Sequence, residues 1–441
     1  MISSTTTLED AIARHASANP QSIAVESHGV CLTYGELWQA VMDRAASWSG
    51  VCSTPLVLRV SQDVDFVVSY LAAHLARRVI VPLEHDVPQE RFDQVCSIVN
   101  ESAIPAEVAD ILFTTGTTGQ SKGTMISHRA IRANAENLAE AQKFSQDLCF
   151  VICGPMNHIG SLSKLWPTFL VGGAVRILEG MKDINAFFDA VAAHTKVGTF
   201  LVPANIRILL QFSAHRIADL SHCFDLIETG AAPMSAADME HISQLLPHTR
   251  LYNTYASTET GIICTYDYNH EPCIAGCLGR PMKHSTVTIS AEGTVVCHGD
   301  TLMTGYVGAE ELTRTVLYDN AVHTADLAYL DERGCLRLTG REDDVINLAG
   351  FKVAPVEVED FALAYPNIKD CICIATAHPI LGTALRLLVV LCDAEKPFDK
   401  RALAQHLKQH LESYKVPTSY EVVTAVRRTY NGKLDRKSYR K

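Results

Sequence analysis

The alternation of short apolar runs with amphipathic helical patterns constrains the fold more than any other feature of the chain. Runs rich in β-forming residues, such as 56–60 and 198–202, alternate with helical patterns such as 89–99 and 235–246. Consecutive parallel strands need a crossover of about a dozen or more residues between them, and that crossover is usually a helix. We therefore predict doubly wound α/β layers for the part of the chain before about residue 275.

The pattern changes after about residue 275, where short strands and Gly-rich turns replace the α/β alternation, at 285–289, 293–297 and 335–338. This texture predicts a small β-barrel-like subdomain. A mixed α+β segment follows from Asp344, with one long helix at 399–413 and a basic tail. Because 441 residues are enough for more than one core, we predict a large α/β N-terminal domain at 1–342 and a small α+β C-terminal domain at 343–441.

Composition and charge exclude several classes of protein. An apolar content of 47% is typical of a folded globular chain. A net charge of −11 argues against a nucleic-acid binder or a protein that binds acidic membranes, because both usually carry a basic face. The most apolar long stretch, 64–83, is interrupted by charged residues and does not predict a membrane span. The N-terminus carries Glu9, Asp10 and Arg14, unlike a signal peptide, and we expect a soluble, cytoplasmic protein.

The fourteen cysteines are scattered along the chain. Their close pairs lack the two-residue spacing of a zinc knuckle: Cys149/Cys153, Cys273/Cys277 and Cys371/Cys373. We interpret the cysteines as reduced thiols of a cytosolic enzyme.

The segment 114–123, TTGTTGQSKG, combines hydroxyl groups, glycines and a lysine directly after an apolar run. Gly116 and Gly119 let backbone N–H groups turn toward an anion, and Lys122 adds a positive charge. Four threonines add hydroxyl donors: Thr114, Thr115, Thr117 and Thr118. Such a loop suits polyphosphate, although a flexible surface loop could have the same composition. It is not a Walker loop, because the order is Ser-Lys-Gly rather than Gly-Lys-Ser/Thr.

The same segment resembles the phosphate-binding signature of the adenylate-forming superfamily, which includes acyl-CoA synthetases, peptide-synthetase adenylation domains and luciferases. Further motifs similar to those of the family follow in the family's order over nearly the whole chain: LTYGEL (32–37), VPLEHDVPQERF (81–92), GPMNHIG (154–160), TGAAP (229–233), YNTYASTETG (252–261), HTADLAYLDERG (323–334), GREDDVINLAGFKVAPVEVE (340–359) and RTYNGKLDR (428–436). Several motifs in one order are far more specific than any single motif. The set is closest to the acyl- or aryl-CoA ligase branch.

The resemblance implies ATP-dependent activation of a carboxylic acid, an acyl or aryl acid, to acyl-AMP with release of pyrophosphate. The acyl group would then pass to a thiol, either of coenzyme A or of the phosphopantetheine of an acyl carrier protein. ATP, Mg²⁺ and coenzyme A are the implied cofactors. Since the reaction brings one anion against another, the protein must neutralise charge and fix geometry.

The resemblance also assigns roles around the nucleotide. Glu259 would bind Mg²⁺, because a hard cation that bridges phosphate oxygens favours a carboxylate. Thr258 would donate its hydroxyl to the α-phosphate. Tyr255 would offer a flat face to adenine, although a tyrosine there could also belong to the core. Three small residues would allow close backbone approach: Gly230, Ala231 and Ala232.

Asp326 and Arg341 are the implied ribose residues. An ionised Asp326 can accept hydrogen bonds from both ribose hydroxyls, and Arg341 would reach ribose or phosphate unless it forms a surface ion pair. The family usually has Thr-Gly-Asp where this chain has Thr324-Ala325-Asp326. The alanine preserves the role unless the glycine's positive φ is required.

The C-terminal motifs imply a mobile catalytic lysine. Lys433, in the turn sequence Asn-Gly-Lys, would bridge the acid and the α-phosphate and stabilise the charge of the transition state. Asp343 stands at the family's hinge, where the small domain would rotate after adenylation. Lys433 would then leave the site, and Gly350, Phe351 and Lys352 would approach it for thiol entry.

The pocket for the acid is assigned to His158, Ile159, Gly230 and Ala256. His158 would gate this pocket or orient the carboxylate, and a hydrogen-bonded core histidine is the alternative. Amino-acid-activating relatives usually have an aspartate near position 159 to pair the α-ammonium, and Ile159 cannot do so. We therefore expect a plain acyl or aryl acid.

Several alternatives stay open at this point. The chain could be a stand-alone adenylation enzyme that loads an amino or aryl acid onto a carrier protein, an amide-forming relative, or a non-catalytic acyl- or nucleotide-binding homologue. Only about twenty residues separate the motif at 81–92 from the phosphate segment. The family usually has more there, so substrate access or dimer contacts could differ. The sequence leaves the acid, the acceptor and the oligomeric state undetermined.

Overall fold

The computed structural model describes residues 7–48, 54–114, 122–348, 351–378, 382–429 and 434–439. In chain order its strands are β1 (Ile23–Ser27), β2 (Val30–Thr33), β3 (Leu56–Arg59), β4 (Ile80–Leu83), β5 (Val108–Thr114), β6 (Lys122–Ser127), β7 (Cys149–Ile152), β8 (Ala174–Ile177), β9 (Val197–Phe200), β10 (Phe224–Gly230), β11 (Arg250–Ser257), β12 (Gly261–Asp267), β13 (Cys277–Pro281), β14 (Ser285–Ile289), β15 (Thr294–Gly299), β16 (Gly305–Tyr306), β17 (Leu317–Tyr318), β18 (Ala321–Leu330), β19 (Leu336–Arg341), β20 (Ile346–Leu348), β21 (Phe351–Val353), β22 (Ile368–His378), β23 (Gly382–Leu391) and β24 (Ser419–Val422). Its helices are α1 (Leu8–Ala18), α2 (Tyr34–Ser47), α3 (Val64–Leu75), α4 (Gln89–Glu101), α5 (His128–Ala141), α6 (Ile159–Leu162), α7 (Leu165–Val171), α8 (Ile184–Ala192), α9 (Pro203–Asp219), α10 (Ala236–Leu245), α11 (Glu310–Val316), α12 (Pro355–Leu363) and α13 (Lys400–His410). Short 3₁₀ turns lie at Glu342–Asp344, Ser413–Lys415 and Arg436–Tyr439.

One large sheet runs through most of the chain before residue 342. Its strand order is β14-β15-β18-β19-β13-β12-β11-β10-β9-β7-β8-β1-β2, with β17 beside β18. The neighbours from β1 through β8, β7, β9 and β10 to β11 are parallel. Adjacent residues of β7, Phe150 and Val151, belong to two different buried clusters. Since successive side chains of a strand point to opposite faces, both faces are covered, and the predicted α/β layers are confirmed.

The β-rich segment predicted after residue 275 is present, and it is joined to the large sheet. β13 pairs antiparallel with β12 of the α/β part on one side and with β19 on the other. Backbone hydrogen bonds therefore continue across the junction. The strand predicted at 293–297 begins one residue later, because Gly293 has φ +86° and donates its N–H to the Ser290 carbonyl as part of the preceding turn.

A second sheet holds the two ends of the glycine- and threonine-rich segment. Its order is β16-β6-β5-β4-β3, in which β3, β4 and β5 are parallel and β6 is antiparallel to β5. Thr114 ends β5 and pairs with Lys122, the first residue of β6. The intervening residues 115–121 lie outside the described ranges, and the two strands hold their ends side by side.

The described residues from 346 onward form a layer of strands and helices around a core of their own. A three-stranded sheet has the order β22-β23-β24, and helices α12 and α13 pack with it around a buried cluster whose members run from Ile346 to Val416. Arg436 makes a two-pronged ion pair with the buried Glu359, with both N–O distances at 2.6 Å. This layer is the mixed α+β segment predicted from Asp344 onward. The predicted domain boundary at 342/343 stays a prediction.

The most apolar stretch of the sequence, 64–83, divides into α3 and β4. His74 lies inside that helix, buried between the carboxylates of Glu9 and Asp110. Within the described ranges, none of the helices is both long enough and apolar enough to cross a membrane.

Candidate active site

Tyr255, Asp326 and Arg341 form one contact group where the α/β and β-rich parts meet. Tyr255 is buried on β11 and donates its hydroxyl to Asp326 Oδ2 at 2.7 Å. Arg341 is paired with Asp326 across β18 and β19 and places Nη1 3.1 Å from Asp326 Oδ1. Burial and the Asp326 carboxylate raise the pKa of Tyr255, so its hydroxyl keeps its proton. Three residues predicted from separate motifs thus meet at one carboxylate.

The same group has capacity left for a ligand. Each carboxylate oxygen of Asp326 can accept more than one hydrogen bond. Arg341 Nε is buried and has no hydrogen-bond partner among the residues that the structure describes, and a buried donor without a partner is unfavourable. A ribose or phosphate oxygen would satisfy this donor, so the group fits a nucleotide.

Glu259 lies in the turn after β11, next to the half-buried Thr258. Glu259 Oε1 accepts a hydrogen bond from the Tyr306 hydroxyl at 2.9 Å, and the Glu259 carbonyl accepts one from the Met303 N–H, also at 2.9 Å. Burial and the Glu259 carboxylate raise the pKa of Tyr306, which therefore stays a donor. The carboxylate and the neighbouring hydroxyl are hard oxygen donors, so this turn fits Mg²⁺.

Tyr306 also connects this turn with the end of the glycine- and threonine-rich segment. Lys122 Nζ lies 5.4 Å from the centroid of the Tyr306 ring, which is a cation–π distance. The contact arises because β16, which carries Tyr306, pairs with β6, which begins at Lys122. Tyr306 is not recognisable in the sequence as a site residue, since both of its partners are far away in the chain.

The backbone at the end of β10 is open to close approach by a ligand. A Cβ atom on Gly230 would lie 2.9 Å from the carbonyl oxygen of Thr254 on the neighbouring β11, so a side chain there would displace a strand. Ala231 has φ +67°, a left-handed conformation that strains an alanine. Ala231 and Ala256 are exposed and Ala232 is half-buried, which leaves all three accessible to a ligand.

His158 and Ile159 lie at the start of the short helix α6, for which His158 is the N-terminal cap. Phe200, the last residue of β9, lies between this turn and the end of β10. A Cβ on Gly160 would be 3.1 Å from the Phe200 ring, and one on Gly230 would be 3.6 Å from it. Phe200 therefore joins the two segments predicted for the acid pocket. The sequence predicts Phe200 only as part of a strand.

A buried ion pair lies next to Phe200, beside the candidate acid pocket. Lys164 Nζ lies 2.7 Å from both carboxylate oxygens of Glu228, and both side chains are 1% exposed. The ammonium also lies 5.1 Å from the centroid of the Phe200 ring. Burial lowers the pKa of Lys164, although Glu228 partly opposes this effect. The pair was not predicted from the sequence, although the glutamate within the apolar run 226–228 is a signal for it, because a buried carboxylate needs a partner.

Several predicted site residues lie outside the described ranges: Thr115, Gly116, Thr117, Thr118, Gly119, Gly350 and Lys433. The side chains of Thr114 and Lys352 are outside the description as well. Asp343 is exposed in the 3₁₀ turn after β19. Phe351 is 58% exposed and stacks on Tyr414, with the ring centroids 4.7 Å apart. The roles assigned to these residues stay predictions.

Comparison with known families agrees with this geometry. The family model described as "AMP-binding enzyme" matches residues 97–307, and the one described as "AMP-binding enzyme C-terminal domain" matches residues 357–433. Together they cover about 65% of the chain. The chain therefore belongs to the AMP-binding enzyme family, and its predicted membership of the adenylate-forming superfamily is confirmed.

Individual relatives point to one branch of that family. The chain is 28% identical over 409 residues to 2-succinylbenzoate–CoA ligase of Staphylococcus aureus strain MRSA252, and the match covers 88% of this chain and 80% of the relative. Among solved structures it is similar to ATP-bound MatB from Rhodopseudomonas palustris, with a TM-score of 0.85, 23% identity and coverage of 98% and 99% of the two chains. It is also similar to o-succinylbenzoate CoA synthetase (MenE) from Bacillus subtilis in complex with its acyl-adenylate intermediate, with a TM-score of 0.82, 19% identity and coverage of 98% of each chain.

These matches bear on two of the predictions. The structural matches confirm the predicted fold class, a large α/β part followed by a small α+β part. The family and the curated relative confirm the predicted class of enzyme, an ATP-dependent ligase that joins an acid to a thiol.

Proposed function

We propose that this ligase converts an acyl or aryl acid and ATP into acyl-AMP and pyrophosphate, and then transfers the acyl group to the thiol of coenzyme A. One observation carries the proposal: Tyr255 and Tyr306, which hold the carboxylates of Asp326 and Glu259, belong to the same buried cluster. One carboxylate suits ribose, and the other suits a cation bound to phosphate. A nucleoside triphosphate with its magnesium ion needs both.

The phosphate end of the nucleotide would lie at the Glu259 turn. Bound Mg²⁺ would neutralise phosphate charge there. Glu259 would hold the ion, with the Tyr306 hydroxyl fixing the orientation of the carboxylate, and Thr258 would donate to the α-phosphate. Lys122 would add positive charge from the side of the glycine- and threonine-rich segment, since its ammonium lies against the Tyr306 ring.

The nucleoside end would lie at the Asp326 group. Asp326 would accept hydrogen bonds from the ribose hydroxyls, and Arg341 Nε would donate to a ribose or phosphate oxygen. Adenine would lie against Tyr255 and the backbone of 230–232, where the missing side chain of Gly230 and the exposed Ala231 leave room.

The acid would lie between the turn at His158 and the end of β10. Ile159 and Phe200 make this region apolar. Glu228, which is beside Phe200 in the sheet, is already neutralised by Lys164 and cannot pair with the ammonium of an amino acid. These contacts favour a plain acid. The name of the curated relative, 2-succinylbenzoate–CoA ligase, supports an aryl acid as substrate and coenzyme A as acceptor.

The two half-reactions would alternate by rotation of the C-terminal residues about Asp343. Lys433 would bridge the acid carboxylate and the α-phosphate during adenylation. Phe351, with Gly350 and Lys352, would take its place for thiol transfer, and its exposed ring is consistent with a surface that meets a partner in the second step.

Acid-dependent exchange of pyrophosphate into ATP tests the first half-reaction. A panel of aliphatic, aryl and amino acids should give exchange with a plain acid and little exchange with amino acids. Exchange with amino acids alone would favour a carrier-loading enzyme. ATP binding without exchange on any acid would contradict the proposed activity.

Thioester formation tests the second half-reaction. With the best acid, the enzyme should form a thioester faster with coenzyme A than with the phosphopantetheine of a carrier protein.

A Glu259→Gln variant should lower the rate of pyrophosphate exchange at least about a hundredfold, because a catalytic magnesium contact is lost. Glu292→Gln, at an exposed turn, is the matched control. Equal effects of the two substitutions would argue against a metal role for Glu259.

A further inference from the structure

Glu26, Cys149 and His194, none of which belongs to the candidate acid pocket, form a cluster of metal-ligating side chains. In the parallel sheet Glu26 of β1 pairs with Arg176 of β8, and Cys149, at the amino end of β7, pairs with Ala174 two residues earlier in β8. Glu26 and Cys149 therefore share one face of the sheet. His194 follows α8, whose apolar residues pack on this face. Three ligand types thus converge from three separate elements.

The distances fit the ligands of a single cation. A carboxylate oxygen of Glu26, Sγ of Cys149 and a ring nitrogen of His194 all lie within 4.8 Å of one another. Two ligand atoms of one tetrahedral zinc ion are about 3.3–3.8 Å apart, given bond lengths of about 2.0–2.3 Å. Side-chain movements of about one ångström would bring all three atoms to one ion.

The closest pair of atoms is not arranged as a hydrogen bond. His194 Nε2 and Glu26 Oε1 are 2.7 Å apart, yet both are buried and neither makes a hydrogen bond within the described part of the chain. When an imidazole and a carboxylate bind one ion, they lie side by side and the nitrogen points at the ion rather than at the oxygen. A shared cation would give both atoms a partner, and the two atoms would then move apart to about 3.3 Å, the spacing of two zinc ligands at a tetrahedral angle.

Arg176 holds the carboxylate in the orientation that such a site needs. Its Nη1 donates to Glu26 Oε2 at 3.3 Å, which leaves Oε1 facing His194. Hydrogen-bonding partners of this kind orient the ligands in metal sites. Arg176 also offsets part of the negative charge that the Glu26 carboxylate and a Cys149 thiolate would bring.

A second cluster of similar residues fits a cation less well. Glu9, His74 and His128 also offer ligand atoms within 4.8 Å of one another. Both ring nitrogens of His74 already have carboxylate partners, Glu9 at 3.1 Å and Asp110 at 2.7 Å. A metal ion there would have to displace a satisfied partner.

We propose that Glu26, Cys149 and His194 bind a zinc ion. Thiolate and imidazole ligands favour zinc over Mg²⁺, which prefers oxygen, so this site is chemically distinct from the Glu259 turn. Binding would transfer the Cys149 thiol proton to solvent and form the Zn–S bond. The side chains of Glu26 and His194 are 18% and 22% exposed, which leaves an entry path for the ion. The ion would tie β1 and β7 to the end of α8.

Cobalt binding to the full chain tests this site. The protein is stripped with a chelator and titrated with Co²⁺, which gives a charge-transfer absorption band in the near ultraviolet when a thiolate binds it. The band should saturate at about one Co²⁺ per chain and disappear when about one equivalent of Zn²⁺ is added. The absence of such a band at saturating Co²⁺ would overturn the proposal.

Matched variants identify the side chains that give rise to the charge-transfer band. Cys149→Ser and His194→Gln should each abolish it, and Glu26→Gln should weaken Co²⁺ binding at least about tenfold. Cys153→Ser, a buried thiol four positions along the same face, should leave the band intact. A band that persists in Cys149→Ser, or that is lost equally in Cys153→Ser, would overturn the proposal. Should Cys149→Ser fail to fold by circular dichroism, His194→Gln and Glu26→Gln decide the outcome by the same criteria.

Discussion

Tyrosine hydroxyls hold both carboxylates of the candidate nucleotide site. Tyr255 donates to Asp326 at 2.7 Å, and Tyr306 donates to Glu259 at 2.9 Å. Such a donor fixes the orientation of a carboxylate without changing its charge, in the way that outer partners orient metal ligands. Because the pKa of each tyrosine is raised by burial and by the carboxylate itself, both hydroxyls remain protonated near neutral pH.

Replacement of Tyr306 by phenylalanine tests this arrangement. The substitution removes one hydrogen bond to a charged group, which is worth about 1.5–3 kcal/mol, and leaves the ring against Lys122. We expect the kcat/KM for ATP in the exchange assay to fall by about ten- to a hundredfold, with a higher Mg²⁺ concentration needed for half-maximal rate. Tyr329→Phe, on an exposed tyrosine, is the control. An unchanged Mg²⁺ dependence would show that Tyr306 does not position Glu259.

The distance along the chain between partners decided which site residues could be predicted. Asp326 and Glu259 lie in recognisable motifs, and their neighbours in those motifs suggested a nucleotide. Tyr306 and Phe200 lie in short apolar strands, where an aromatic residue is more often part of the core. Only strand pairing, β16 with β6 and β9 with β10, brings them to the site.

Local capping signals set the starts of some elements. Thr7 and Asp10 make a reciprocal capping box at the start of α1, and Ser235 caps α10, which begins at Ala236. The strand predicted at 198–202 instead covers Val197–Phe200. Val202 caps α9 and Pro203 is the first residue of that helix. The strand therefore ends before the apolar run does, because proline favours the first position of a helix.

The buried pair between β10 and the start of α7 gives a stability prediction. Lys164→Met leaves Glu228 without its partner in a dry environment, which should lower the free energy of unfolding by about 3–5 kcal/mol. Adding Glu228→Gln to Lys164→Met removes the uncompensated charge and should restore most of that loss. Urea unfolding of the single and double variants measures both effects. A double variant that is no more stable than the single variant would contradict this explanation.

His74 on α3 lies in a charged network that is stable over a defined pH range. Burial alone would lower the pKa of His74, but Asp110 and Glu9 outweigh it and raise the pKa to about 10. The contribution of this charge to stability is fully present below the unfolded value of about 6.5, and it is lost as the pH rises through about 10. Burial alone would raise the pKa of Glu9, but His74 lowers it, so the contribution of Glu9 is lost as the pH falls into the acid range.

His74→Gln should therefore be strongly destabilising at neutral pH and less so in alkali. Loss of the cation between two buried carboxylates should cost about 3–5 kcal/mol at pH 7. The difference from the unmodified protein should shrink above the pKa of about 10. Urea midpoints at neutral and alkaline pH measure this difference, with the exposed His215→Gln as control. A difference that stays constant with pH would show that His74 is neutral in the fold.

The molecule has separate cores before and after the predicted boundary. The clusters that surround the three-stranded sheet draw all of their buried members from Ile346 onward, and the clusters of the large sheets draw theirs from earlier residues. A part with its own core can move as a unit. This separation supports the proposed alternation, which the sequence alone could suggest only through its resemblance to a family.

Lys433→Ala tests the alternation in the whole molecule. The substitution should abolish acid-dependent pyrophosphate exchange, while thioester formation from supplied acyl-AMP should stay within about threefold, because Lys433 would be withdrawn in that step. Lys437→Ala, at an exposed lysine in the same tail, is the control. Equal losses in both half-reactions would contradict a rotating C-terminal part.

The position of β13 between β12 and β19 determines how the two parts of the chain unfold. Its backbone groups bond to β12 on one edge and to β19 on the other, so neither neighbour can detach without breaking part of a ladder that both share. The α/β and β-rich parts should melt in a single cooperative step, with the amides of β12 and β19 losing protection from deuterium together. Strands β22, β23 and β24, whose sheet has no strand in common with this ladder among the described residues, are free to melt at another temperature.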